Sequence, residues 1–124
     1  MARILTVTLN PALDLTVRLG QLVPGEVNRS PLMLTHAAGK GLNVAQVLAD
    51  LGHTLTVSGF LGEDNAQAFD ALFKRRGFVD AFIRVPGETR SNIKLAEDDG
   101  RVTDLNGPGP QVGAQAQQDR KSVV

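Results

Sequence analysis

Ala38-Gly39-Lys40-Gly41-Leu42-Asn43 sets two glycines, a lysine and an amide side chain directly before an apolar run of helical period. A glycine-flanked turn feeding a helix offers backbone N–H groups and the positive end of the helix dipole, with no side chain in the way. Lys40 adds a full positive charge at the same point. Such a turn suits a small anion such as the phosphate of a metabolite. The alternative reading is that Gly39 and Gly41 only permit a tight turn into a helix. Spacing excludes two nucleotide motifs. A P-loop needs a glycine where Leu34 stands and a Ser or Thr where Gly41 stands. A dinucleotide fingerprint needs Gly or Ala where Val44 stands.

Working outward, the residues after the turn change period. Val44, Val47, Leu48 and Leu51 form an apolar helical stripe that predicts a core-facing helix ending near Gly52. Thr54 to Leu61 predicts a buried strand, and Asp64 with Gln67 a capping box opening a second helix. That helix carries Ala66, Phe69, Leu72 and Phe73 on its apolar face, ends at Gly77, and has Lys74, Arg75 and Arg76 as a solvated last turn. Phe78 to Val85 predicts a third strand. Ser91 to Ala96 and Arg101 to Leu105 then flank the hairpin signal Asp99-Gly100.

Before the turn, Arg3 to Leu9 predicts a buried strand stopped by Asn10-Pro11. Leu13, Leu15, Val17 and Leu19 alternate with polar residues, the period of a half-exposed strand, and Val27 to Thr35 is extended. The order implies α/β layering with an antiparallel insert. About three parallel strands with two crossover helices make an incomplete doubly wound sheet, so the chain reads as the front portion of something larger. After Gly107-Pro108-Gly109-Pro110, residues 111–124 carry no apolar stripe and predict a disordered or poorly anchored tail.

Composition excludes several classes. The 124 residues carry 13 Lys plus Arg against 13 Asp plus Glu, and the only aromatics are five Phe. No global basic field exists to hold nucleic acid or an anionic membrane, so any anion site is local. No cysteine is present, which removes disulfides and thiolate metal sites. His36 and His53 fit no metal spacing, and both are expected to be structural. No signal peptide or membrane span is evident, which predicts a soluble cytoplasmic protein.

Four ordered motifs carry a resemblance. Thr8-Leu9-Asn10-Pro11-Ala12-Leu13-Asp14, Gly39-Lys40-Gly41-Leu42-Asn43-Val44-Ala45, Gly59-Phe60-Leu61-Gly62 and Thr89-Arg90-Ser91-Asn92-Ile93-Lys94 resemble the ribokinase-like (PfkB) carbohydrate kinases. Asp104-Leu105-Asn106-Gly107-Pro108-Gly109-Pro110 favours the sugar-phosphate kinases among them. The resemblance is greatest to the branch that phosphorylates fructose 1-phosphate, with tagatose-6-phosphate kinases close behind. It covers residues 3 to about 110.

The resemblance implies a partial ribokinase-like doubly wound parallel sheet, with core segments at 3–9 and 42–85. It also implies a small antiparallel β lid at about 12–36 and 89–105, with residues 1–110 forming the N-terminal part of one kinase domain. Asp14 matches the acidic residue that bonds sugar hydroxyls, and Gly39, Lys40, Gly41 and Asn43 match the sugar-binding turn. Arg90 matches the arginine toward the substrate phosphate, with Arg29, Asn92 and Lys94 as weaker candidates. The implied reaction is ATP- and Mg²⁺-dependent phosphorylation of fructose 1-phosphate to fructose 1,6-bisphosphate. The implied partners are a sugar phosphate and, through the lid, a second copy of the chain.

Ala38 departs from the family's usual glycine. The Gly-Ala-Gly-Asp-type segment that carries the family's general base and anion hole has no counterpart after Pro110, nor does its ATP site. No residue of this chain is therefore assigned as catalytic or metal-binding, and the isolated chain is expected not to turn over. An inactive sugar-phosphate-binding or dimerising fragment is the competing expectation.

Overall fold

The computed structural model describes residues 2–110 and 112–123. In chain order it contains β1 (Arg3–Thr8), β2 (Ala12–Leu19), β3 (Leu32–Ala38), α1 (Lys40–Asp50), β4 (Thr54–Gly62) and α2 (Gln67–Arg76). There follow β5 (Val79–Asp80), β6 (Ile83–Val85), β7 (Ser91–Glu97), β8 (Val102–Asn106) and α3 (Ala114–Val123).

Two sheets result. In the first, β4 runs parallel to β1 on one side and to β5 and β6 on the other. β4 is buried along nearly its whole length, as a parallel strand covered on both faces must be. Leu42 and Ala45 of α1 join Phe69, Leu72 and Phe73 of α2 against Leu55, Val57 and Leu61 of β4. Phe73 stacks on Phe82 with ring centroids 5.3 Å apart. The third predicted strand is split: β5 pairs with Thr56 and Val57, β6 with Phe60 to Gly62. Between them the Ala81 carbonyl accepts the Ser58 hydroxyl.

The second sheet has the order β3-β2-β7-β8 and is the lid. It is mixed rather than antiparallel as expected, because β2 and β7 pair in parallel from Leu13↔Ser91 to Leu19↔Glu97. The reason is topological. β2 follows the carboxyl end of β1, β7 follows the carboxyl end of β6, and both leave the parallel sheet in the same direction. β3, predicted over 27–35, is displaced toward the glycine turn and returns the chain to Ala38, opposite Ala12.

α1 turns a different face inward from the one its stripe predicts. Leu42 and Ala45 are buried and Leu48 packs on the core, while Val44, Val47 and Leu51 are 51%, 59% and 69% exposed. The start of the helix fixes its rotation. A side chain at Gly41 would collide with the Thr8 hydroxyl, and one at Gly39, whose φ is +152°, would meet Thr8 Cγ2 at 2.5 Å. Only glycine lets the turn lie this close to β1, and from there Leu42 points into the core.

Three further expectations are corrected. Asp64 and Gln67 form no capping box: Glu63–Asn65 is a 3-10 turn, and α2 begins after Ala66 without a side-chain cap. Arg76 is not merely solvated, since its Nη2 bonds the Gln46 carbonyl at 2.8 Å and pairs with Asp50, tying α2 to α1. The tail also contains α3 beside β4 and β6, with Gln115 bonding Asp119 one turn on. Its Ala, Gln, Lys and Arg residues are strong helix formers even without an apolar stripe. Gln111 and Val124 of that predicted tail lie outside the described residues.

Arg84 of β6 joins Asp70 of α2 to Asp80 of β5. Burial opposes its charge, but the two carboxylates outweigh that and raise its pKa further. No helix among the described residues is long and apolar enough to cross a membrane.

Candidate functional site

The carboxyl end of β1 is where the chain leaves for the lid, returns from it, and starts α1. A cleft of about 450 Å³ lies there, between the parallel sheet and the lid. Its lining includes Thr8, Asn10, Asp14, Lys40, Arg90 and Asn92 among others. Crevices outside strand carboxyl ends are the usual ligand positions of open α/β sheets.

The lid wall is a chain of polar contacts. Asp14 and Asn92 face each other across β2 and β7, and Asn92 Nδ2 donates to Asp14 Oδ1 at 3.3 Å. Arg90 Nη1 donates to Asn92 Oδ1 at 3.4 Å, and its Nη2 to the Asn10 carbonyl at 3.2 Å. Its buried Nε has no protein partner. The guanidinium plane is thus held at its edge, with donor capacity left for a ligand.

The opposite wall is the start of α1. The N–H groups of its first turn have no intrahelical acceptor. Gly39 offers no side-chain cap, and no acidic residue stands in that turn. Lys40 and Asn43 are exposed beside it, and the Asn43 N–H itself bonds the Gly39 carbonyl at 2.9 Å. The cleft therefore combines one carboxylate, Asp14, with two cationic side chains, Arg90 beside it and Lys40 across from it, and a helix N-terminus. That combination is chemically suited to a molecule bearing both hydroxyls and an anionic group.

The sequence-predicted residues Asp14, Gly39, Lys40, Gly41, Asn43, Arg90 and Asn92 all line this cleft. Arg29 and Lys94 do not: Arg29 is exposed in the connection between β2 and β3, and Lys94 is exposed two residues beyond Asn92. Sequence reasoning gave no role to Thr8. It is 6% exposed, and its Oγ1 lies under the glycine turn without a protein partner. The two glycines above it were the available signal. Among the described residues no three His, Cys, Asp or Glu side chains gather in a way that would hold a metal ion. His53 instead accepts the Ala2 N–H at 3.1 Å.

A family model described as pfkB family carbohydrate kinase matches residues 7–123. The chain belongs to that family. Within it, the chain is 54% identical over 110 residues to the 1-phosphofructokinase of Vibrio cholerae, covering 89% of this chain and 35% of that protein. It thus spans about a third of the length of such curated pfkB relatives. Phosphofructokinase-2 from Escherichia coli, solved with fructose-6-phosphate, superposes with a TM-score of 0.81 at 26% identity, over 99% of this chain and 41% of that one. Another structure of that enzyme is an inhibited tetramer. Ribokinase from Thermotoga maritima superposes with a TM-score of 0.71 at 21% identity, over 86% of this chain and 36% of that one, which shows the ribokinase-like fold.

Proposed function

We propose that this chain is the acceptor-binding part of a kinase that phosphorylates fructose 1-phosphate to fructose 1,6-bisphosphate. The observation that carries the reading is that Asp14, Arg90 and the start of α1 flank one cleft. In it, Asp14 accepts hydrogen bonds from sugar hydroxyls and Asn43 adds an amide contact. The planar fork of Arg90 takes phosphate oxygens, and the α1 N-terminus with Lys40 balances the remaining negative charge. The 1-phosphofructokinase name of the Vibrio cholerae relative supports fructose 1-phosphate over tagatose 6-phosphate.

ATP and Mg²⁺ are the donor system this reading requires. The described residues do not fit them: among these residues no three His, Cys, Asp or Glu side chains gather that would hold the metal ion. No step is assigned to a base within this chain, and the purified 124-residue chain is expected to show no ATP-dependent turnover. Binding is the proper test. A calorimetric melt with millimolar fructose 1-phosphate should move upward, because a ligand that binds only the folded state stabilises it. An unmoved melt overturns the assignment. The absence of cysteine suits the cytoplasmic location that goes with this reading.

A second copy of the chain is the partner favoured by the lid. Leu32, Met33 and Leu34 of β3 are 43%, 62% and 39% exposed along an unpaired sheet edge. Such an edge invites pairing with another chain. Light scattering that finds a dimer, lost in Met33→Glu, supports it; a concentration-independent monomer overturns it.

A further inference from the structure

Thr89 precedes Arg90 and is only 2% exposed. Its N–H donates to Asn65 Oδ1 at 2.8 Å, and its carbonyl accepts from Asn65 Nδ2 at 2.9 Å. Its hydroxyl accepts the Gly62 N–H at 2.9 Å. Two residues earlier, the Gly87 carbonyl accepts the Asp64 N–H at 3.0 Å. One side chain therefore reads both main-chain groups of one residue, as a neighbouring strand would. Gly62 and the 3-10 turn Glu63–Asn65 belong to the parallel-sheet body, whereas Arg90 opens onto the lid. On the far side, the Arg90 carbonyl accepts the Leu13 N–H at 2.9 Å, tying it to β2. The Arg90 backbone is fixed immediately before and at its own residue, so its side chain enters the cleft from one fixed origin.

We infer that Asn65 and Thr89 are positioning residues for Arg90, and that through it they set how strongly the cleft prefers a phosphorylated sugar over a free one. Neither residue touches the cleft, so the effect passes through the Arg90 backbone. The inference rests on the reading above, in which Arg90 grips the phosphate. Misplacing a guanidinium fork by a fraction of its length removes bidentate contact, whereas Asp14 is held for the hydroxyls by the β2–β7 pairing, which does not depend on the fork. A merely structural latch would weaken both ligands together.

The test is calorimetric titration of the full chain and its variants with fructose 1-phosphate and with fructose. Asn65→Ala should cut the preference for the phosphorylated sugar by about tenfold, the size of one lost bond to a charged group, with fructose affinity unchanged. Asn65→Asp keeps the acceptor but loses the donor and should fall between. Thr89→Ser, which keeps the hydroxyl, should retain the wild-type preference. Equal losses for both sugars, or an undiminished preference in Asn65→Ala, overturn the inference. A wild-type chain without any preference instead overturns the reading of Arg90. The latch then stands or falls on amide exchange: Leu13 should exchange about tenfold faster in Asn65→Ala, and unchanged exchange refutes it.

Discussion

The parallel sheet and the lid are made from the same kinds of residue and differ in what covers them. β4 is buried almost end to end beneath α1 and α2, whereas every residue of β3 from Leu32 to His36 is exposed. The first region holds the chain folded. The second holds side chains over a cleft and relies on the first for its position. On the proposed reading, stability and recognition thereby fall to different sheets, which meet at Asn10–Asp14 and Thr89–Asn92.

That division can be broken by substitution. Phe69→Ala, at a fully buried ring packed near Phe73, should cost about 3–5 kcal/mol in a calorimetric melt. It should leave no folded state to bind sugar if the core is as marginal as small cores are. Gly41→Ala forces a methyl against Thr8 and the Val7 carbonyl and should cost about 1–3 kcal/mol. It should also weaken fructose binding, because the turn must lift away from β1. Arg90→Lys should leave the melt nearly unchanged yet reduce fructose 1-phosphate affinity about tenfold, since a point charge replaces a planar fork. Met33→Glu should change stability by less than about 0.5 kcal/mol when both chains are measured at concentrations dilute enough to be monomeric. If Arg90→Lys lowers the melt as far as Phe69→Ala does, the separation between the two sheets is wrong.

Much of this was legible in the sequence because short range decides it. Asn10-Pro11 stops β1, alternation marks β2, and Asp99-Gly100 marks the β7–β8 turn, each without knowledge of the rest. The cleft residues came through motif resemblance, and the fold gathers those seven into one place because both excursions begin at strand carboxyl ends. What failed depended on distant partners. The apolar stripe Val44, Val47 and Leu51 obeys helical period, but a helix with two apolar faces does not say which one meets the sheet. That choice was made by Thr8 beneath Gly41, more than thirty positions away in sequence. Strand direction in the lid was hidden for the same reason, since it follows from where β6 ends. The Asn65–Thr89 contact, spanning 24 residues, carries no local signature at all.

The parallel pairing of β2 and β7 has a mechanical consequence. Asp14 and Asn92 sit on adjacent struts that run the same way and are bonded rung by rung from their bases. Because the ladder fixes one strut against the other, the gap between Asp14 and Asn92 is set by strand pairing and not by the loops around it. Lys40 and Asn43 stand across the cleft on α1 and belong to a separate element. The cleft thus has one jaw whose internal spacing is built into a ladder, like the fixed teeth of a comb.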